Sequence, residues 1–415
     1  MLLDTEILVA GPGAAGLTAA IGLAQAGYRV VLAGPADTRP TTRTVALFEG
    51  SLRFLGSLEM RDTVEQAGEP LAVMRISDDT GSPFRRPPVS FHAREIGTDV
   101  FGYNVPNSVL VSLLLDKART IENITIRPQL IEQYDFSDDR VIASLDGGDT
   151  IKARLLVAAD GAASPARRAA GISTQTWDYP QVALTAFLDH PFSHENVSTE
   201  FHTRQGPCTF VPLPPQGEHR HCSSLVWLMS RREAERRLTL PVEDLEDEIS
   251  LAGQYALGQV KLVRPVNSYP MRGLAARRLS GPRIVLIGEA AHVFPPIGAQ
   301  GLNLGFRDAA HLVEVLAGEA GVSVEDPGEK DITDAYDAKR RLDVGSRTFG
   351  VDFLNRTLLN HLPPVDLLRA AGTTALAGIG PLRRRIMQEG MSPQAGAPLV
   401  MRNKRRMADC DALPN

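Results

Sequence analysis

The stretch that most restricts the fold is residues 1–35. Ile7-Leu-Val-Ala10 reads as a strand, Gly11-Pro-Gly-Ala-Ala-Gly16 as a turn, and Gly13 to Gly27 as a helix carrying Leu17, Ala20, Ile21 and Leu23 at helical spacing. Arg29-Val-Val-Leu32 supplies the next strand, so a βαβ unit is predicted. In such a unit Gly11 permits the tight turn, Gly13 lets a diphosphate approach the backbone, and Gly16 lets helix and strand pack closely. The free amides of the first helical turn, around Ala14 and Ala15, favour negative charge at that end. The acidic residue expected to end the second strand and bind a ribose is missing, because Ala33 and Gly34 stand there. Asp37 reaching back, or backbone and water, are the alternatives.

The bulk numbers narrow the class of molecule. With 415 residues, 43% hydrophobic and 22% charged, the chain is long enough for two domains sharing a buried interface. A net charge of -5 argues against nucleic-acid binding, which needs a basic face. Cys208, Cys222 and Cys410 have neither metal-ligand spacing nor an even count for disulfides, which fits a reducing cytoplasm. The first strand begins too early for a signal peptide, and no apolar run reaches the ~18 residues of a membrane span.

Further strands are predicted at Ile124-Thr-Ile-Arg127, Leu155-Leu-Val-Ala-Ala159 and Arg283-Ile-Val-Leu-Ile287, whose continuous apolar runs suit a sheet covered on both faces. Segments 70–103 and 175–275 instead alternate apolar and polar residues between turn formers, and predict one antiparallel sheet made from two insertions. Helix is predicted from Arg307 to Glu319, from Asp331 to Asn360 and, beyond Pro363-Pro364, from Leu367 to Met387. The end from Met391 reads as loose.

Two more segments carry chemistry. Ala159-Asp-Gly-Ala-Ala-Ser-Pro-Ala-Arg167 places Asp160 and Gly161 after a buried strand, with Ser164 and Arg167 following. The segment from Gly288 to Asp308 runs from strand end through Glu289, His292, Pro295-Pro296, Gly298 and Gly301 into a helix near Leu302 and Asn303. Together with Gly11 to Gly16 these resemble the three FAD motifs of class A flavoprotein monooxygenases, and most of all the ubiquinone-biosynthesis hydroxylases. Thr42-Arg-Thr-Val-Ala-Leu47, Pro212-Leu-Pro214 before Val226-Trp227, and Gly298-Ala-Gln-Gly-Leu-Asn-Leu-Gly305 extend the resemblance over nearly the whole chain.

The resemblance implies an α/β fold like that of para-hydroxybenzoate hydroxylase, a Rossmann-like FAD-binding domain with an inserted antiparallel-sheet substrate domain. The FAD-binding domain would comprise 1–69, 104–174 and 276–362, the substrate domain 70–103 and 175–275. A helical segment at 363–390 and a flexible tail at 391–415 would follow. It carries cofactor contact to Arg43, and to Asp160 and Gly161 a role with both FAD and NAD(P)H, with Arg167 able to meet a phosphate of NAD(P)H. Gly288 and Glu289 stand where the family has Gly-Asp, so Glu289 keeps a carboxylate acceptor for the ribityl hydroxyls on a longer arm. Pro295, Gly298 and Gly301 would carry the chain past the flavin ring. The helix amides near Leu302 and Asn303 would stabilise the negative charge of reduced flavin. His292 either packs locally or touches cofactor or substrate.

The implied reaction is hydroxylation of a polyprenylated phenol with NAD(P)H and O2 through a flavin C4a-hydroperoxide, in a dry pocket. No metal is implied. Phe210, Val211, Leu213 and Trp227 would line the pocket or form the sheet's core. Leu367-Leu368, Leu376, Ile379, Leu382, Ile386 and Met387, beside Arg383-Arg-Arg385 and Arg402-Asn-Lys-Arg-Arg406, would face a membrane surface or pack as an ordinary helix. Cytoplasmic placement, peripheral membrane contact and a quinone-biosynthesis protein complex follow as expectations. Two other readings stay open: a hydroxylase of soluble aromatics or prenyl reductase of the same fold, and a non-catalytic FAD-binding subunit.

Overall fold

Apolar runs between turns build the first of three sheets. Its strands are β1 (Leu2–Ala10), β2 (Val30–Ala33), β8 (Ile124–Arg127), β9 (Ile131–Phe136), β10 (Val141–Leu145), β11 (Thr150–Ala158), β18 (Ser280–Gly281) and β19 (Ile284–Leu286). The computed structural model in which they are seen describes residues 1–79, 88–295, 298–318, 324–359, 380–391 and 396–402. Strands β8, β2, β1, β11 and β19 lie side by side and parallel, while β10 and β9 extend β11 as an antiparallel pair. Ile7, Leu8, Val9, Leu155, Leu156 and Val157 are wholly buried, as continuous apolar strands require. Helices α1 (Ala14–Gln25), α4 (Asn107–Arg119) and α8 (Gln300–Leu316) pack together, and α9 (Lys330–Leu359) lies on α8.

The second sheet has nine strands: β5 (Val73–Asp79), β6 (Val89–His92), β12 (Thr174–Asp189), β13 (Val197–Thr203), β14 (Gly206–Leu213), β15 (Cys222–Ser230), β16 (Lys261–Leu262), β17 (Asn267–Ala276) and β20 (His292–Val293). It is not antiparallel throughout, because β13 pairs with β5 in parallel. These two strands come from separate insertions, so no hairpin fixes their relative sense. Strand β20 pairs with β17, so the segment after residue 276 also contributes to this sheet. A third, small sheet of β3 (Thr44–Phe48), β7 (Gly102–Pro106) and β4 (Glu69–Leu71) bridges the two, followed in sequence by α2 (Glu49–Ser57) and α3 (Arg61–Gln66).

The outer face of the second sheet packs under α6 (Arg231–Leu238) and α7 (Val242–Ala252), with Trp227, Phe210, Leu184 and Leu225 meeting Ala234, Leu245 and Ile249. The inner face is stitched to the first domain. Thr42 Oγ1 lies 2.7 Å from Thr185 Oγ1 and Thr44 Oγ1 lies 3.1 Å from Ser224 Oγ. Asn104 Nδ2 donates to the Pro212 carbonyl at 2.8 Å.

The C-terminal part differs from expectation. Helix α10 (Gly380–Met391) docks on the substrate domain: Met387 is buried with Ala93 and Phe101, and Arg383 lies 4.7 Å over the Phe91 ring and 2.6 Å from Glu95. Residues 396–402, expected to be loose, are packed into the main core through Ala397 and Met401. Glu314 accepts the Leu399 amide at 2.7 Å and His311 Nε2 donates to the Gly396 carbonyl at 3.0 Å, which fixes the segment on α8. Pro296, Cys410, Leu367, Leu368, Leu376 and Ile379 lie outside the described residues. Among the described residues no helix is long and apolar enough to cross a membrane.

Candidate active site

Three turns meet at the carboxyl ends of the parallel strands. Gly11 has φ +103, and a Cβ there would come within 2.4 Å of the Ala159 carbonyl oxygen. A Cβ at Gly16 would stand 2.0 Å from the Gly11 carbonyl oxygen. Both glycines are therefore demanded by the protein itself. Gly13 is different: a Cβ added there meets nothing within 4 Å. It stands at the N-terminus of α1, which has neither a side-chain cap nor an acidic residue in its first turn. The first amides of α1 are left facing open space, which is what an anion requires. Ala14 is buried, and Ala15 touches the other motif, because Cβ atoms added at Gly288 and Gly305 would lie 3.2 and 3.4 Å from its methyl.

The second turn is held by its own carboxylate. Asp160 accepts from Ser164 Oγ at 2.5 Å and from the Ala166 amide at 3.0 Å, with Gly161 at φ +81 beside it. Burial pushes the Asp160 carboxyl up, against the lowering effect of those two donors. Arg167 does not point outward to meet a ligand phosphate. It is buried, and it donates to the Ala290 carbonyl at 2.7 Å and the Ala162 carbonyl at 2.9 Å, tying the second turn to the third.

In the third turn Gly288 (φ +58) opens a short 3-10 helix, Gly288–Ala290, that presents Glu289 outward. The Glu289 carboxylate stands 3.7 Å from the Arg43 guanidinium, itself 5.6 Å from the Tyr269 ring centre. Pro295 is buried, and Gly298 has φ +64 before Ala299 at φ +51 begins α8. Like α1, α8 has no side-chain cap and no acid in its first turn, and a Cβ at Gly301 would meet nothing within 4 Å. Its free amides are those of residues 299 to 302, so Leu302 contributes one and Asn303 is the first bound within the helix. Asn303 acts through its side chain instead. Its Nδ2 donates to the Ala46 and Ala299 carbonyls, and its Oδ1 accepts from the Phe48 amide and Ser51 Oγ, locking β3 and α2 to the start of α8.

Four expectations about side chains need correction or sorting. His292 is buried with Nε2 2.7 Å from Asp308 Oδ2 and its ring stacked on Phe294, so its visible role is to support the turn. Phe210 and Trp227 belong to the outer face, under α6 and α7, with Arg237 stacked 4.2 Å over the indole. Val211 and Leu213 have the opposite parity and lie on the inner face, since consecutive strand residues point to opposite sides. Leu213 is wholly buried there against Phe187 and Cys222. The inner face near Arg43 is instead made by Ala183, Leu228 and Met271 with Tyr179, and by Tyr269, the register partner of Ala183. At the end of β2, Asp37 is forked by Arg39 at 2.8 Å and does not reach back, while the register places Arg127 beside Ala33.

These features fit FAD: an open cradle at Gly13, a carboxylate on the floor, and a second bare helix N-terminus. Among the described residues no cluster of His, Cys, Asp and Glu has metal-binding geometry. A family model described as an FAD binding domain matches residues 4–348. A ubiquinone hydroxylase, UbiL, of Rhodospirillum rubrum is 31% identical over 93% of this chain and 89% of its own length. The 3-demethoxyubiquinol 3-hydroxylase of Escherichia coli is 29% identical over 92% of this chain and 97% of its own. Among solved structures, p-nitrophenol 4-monooxygenase PnpA of Pseudomonas putida superposes with a TM-score of 0.77, covering 94% of this chain and 98% of that one at 20% identity. The chain belongs to the FAD-binding-domain family of flavoprotein monooxygenases and, within it, to the ubiquinone hydroxylases.

Proposed function

We propose that this chain uses NAD(P)H and O2 to hydroxylate the aromatic ring of a polyprenylated phenol in ubiquinone biosynthesis. The observation that carries the reading is the nearly full-length similarity to proteins named as ubiquinone hydroxylases. Bound FAD supplies the redox chemistry, accepting reducing equivalents from NAD(P)H and activating O2 for transfer to the ring. The residues supply binding and electrostatics. The amides at Gly13, Ala14 and Ala15 would hold the diphosphate, and Arg43 would add a cation at the trough. Glu289 would accept from ribityl hydroxyls, and Asp160 and Gly161 keep the neighbouring turn in shape. The free amides from Gln300 to Leu302 would stabilise the negative charge of the reduced cofactor.

The substrate ring is assigned to the inner sheet face, against Val211, Leu228, Tyr269 and Met271, where apolar side chains exclude water. Delivery from a bilayer is supported by α10, whose inner side is docked through Met387 while Arg384 and Arg385 stay exposed. Contact with other quinone-biosynthesis proteins is part of the same reading. The test is NAD(P)H oxidation by the FAD-loaded chain with a prenylated phenol, a water-soluble phenol, or neither. Stimulation by the prenylated compound supports the proposal. Stimulation confined to the soluble phenol refutes it in favour of a soluble-aromatic hydroxylase.

A further inference from the structure

We propose that Asp308 and Arg340, far along α8 and α9, are positioning residues that set the Glu289 turn for FAD. The geometry is that of a clamp. Asp308 Oδ2 accepts the Gly288 amide at 2.9 Å and faces His292 Nε2 at 2.7 Å, so one oxygen holds both ends of the turn that presents Glu289. Its other oxygen accepts from Arg340 Nε at 2.7 Å, and Arg340 Nη1 donates to Asp343 Oδ2 at 2.5 Å. Arg340 is 0% exposed and Asp308 1%.

Ions buried this deeply do little for stability, because desolvation offsets their attraction and an apolar pair of the same volume packs as well. What they do provide is direction. Burial works against the Asp308 carboxylate, yet the charges of His292 and Arg340 hold it below the usual range, so it accepts from all three donors. Gly288 is the residue where the chain leaves β19, and the amide before it, on Ile287, is still bound to the Ala158 carbonyl. The clamp therefore takes hold at the first amide beyond the sheet. It continues outward through His292, stacked at 5.3 Å on Phe294, to Pro295 beside it. The neighbouring Tyr336 hydroxyl donates to the Leu286 carbonyl at 2.9 Å, so α9 grips strand end and turn from one side.

The test is FAD titration of the apo chain, followed by flavin fluorescence, with the visible spectrum of bound flavin and apo thermal unfolding measured alongside. D308N and R340M each remove one partner of a buried pair, so both are expected to melt lower than wild type and to weaken FAD binding 10- to 100-fold with a shifted flavin band. R340K, which keeps the cation but cannot reach both Asp308 and Asp343 as the guanidinium does, is expected to recover only part of the loss. If D308N does not fold, H292F decides, since it keeps a ring on Phe294 and removes the group that faces Asp308. It is expected to weaken binding three- to tenfold. Variants that bind FAD within twofold of wild type with an unshifted spectrum, whatever their melting temperature, overturn the proposal. The inference rests on FAD occupying this trough, and failure of that premise would appear separately, as wild-type chain that does not titrate.

Discussion

Gly13 and Gly16 are both glycines of one motif, yet the structure predicts opposite consequences for adding a methyl to each. At Gly13 the backbone has φ -74 and ψ 172, open to any L-residue, and the new Cβ would touch no protein atom within 4 Å. Alanine is a poorer helix cap than glycine but also restricts the unfolded chain, and the two effects offset to within about 0.5 kcal/mol. The apo chain should therefore unfold almost as wild type does. FAD binding should suffer, because the methyl would occupy the open space beside the α1 amides that the proposed function assigns to the diphosphate. Loss of one such charge-assisted hydrogen bond costs about 1.5–3 kcal/mol, or roughly 10- to 100-fold in Kd. At Gly16 the Cβ would lie 2.0 Å from the Gly11 carbonyl oxygen and 3.1 Å from the Ala159 Cβ, so backbone must move. Overpacking of this kind costs about 1–3 kcal/mol in the apo chain itself. Urea unfolding of apo G13A and G16A, with FAD titration of each, separates the two effects. G13A that binds FAD within twofold of wild type, or that destabilises the apo chain as much as G16A, refutes the assignment of the open cradle.

Other consequences can be checked independently. R167K should lower stability by about 1.5–3 kcal/mol, because one ammonium cannot serve both the Ala290 and Ala162 carbonyls that the guanidinium reaches, and this is measurable by urea unfolding. F210L, facing α6 and α7, should cost about 1–2 kcal/mol of stability while leaving KM for the aromatic substrate within twofold, as steady-state kinetics would report. Burial, with Arg340 adding to it, pushes His311 down from 6.5 to about 4. The unfolded chain then takes up the proton first, so the contribution is fully present above about 6.5 and is lost as pH falls toward about 4, by up to ~3 kcal/mol. Unfolding free energies measured across that range should fall less steeply in H311Q, and residues 396–402 should lose hydrogen-exchange protection at the acid end.

Much of the architecture could be read locally. The βαβ unit at residues 1–35 is specified by short-range pattern, and Gly11, Gly16 and Gly288 by turns that only glycine accommodates. The inner and outer residues of the second sheet were harder. Strand period alone places Phe210 and Val211 on opposite faces, but which face meets the first domain depends on Thr185 and Ser224 contacting Thr42 and Thr44, more than 140 positions away. His292 sits in a motif segment, and its immediate neighbours do not say that its ring turns to a carboxylate on α8. A signal was present at Asp308 itself, an acid among Phe306, Ala309 and Ala310 on a buried helix face, which must find partners. The 396–402 segment looked like a tail because its partners, His311 and Glu314, lie on a distant helix. Its apolar run Pro398-Leu-Val-Met401 was the available clue.

Ring hydroxylation driven by reducing equivalents from NAD(P)H is the reaction proposed for this trough. Its most direct test is mass spectrometry of the product formed by FAD-loaded chain, NAD(P)H and a prenylated phenol under isotopically labelled dioxygen. One labelled oxygen atom on the aromatic ring is the predicted result. NAD(P)H consumption that yields only hydrogen peroxide and an unlabelled, unchanged phenol would contradict it.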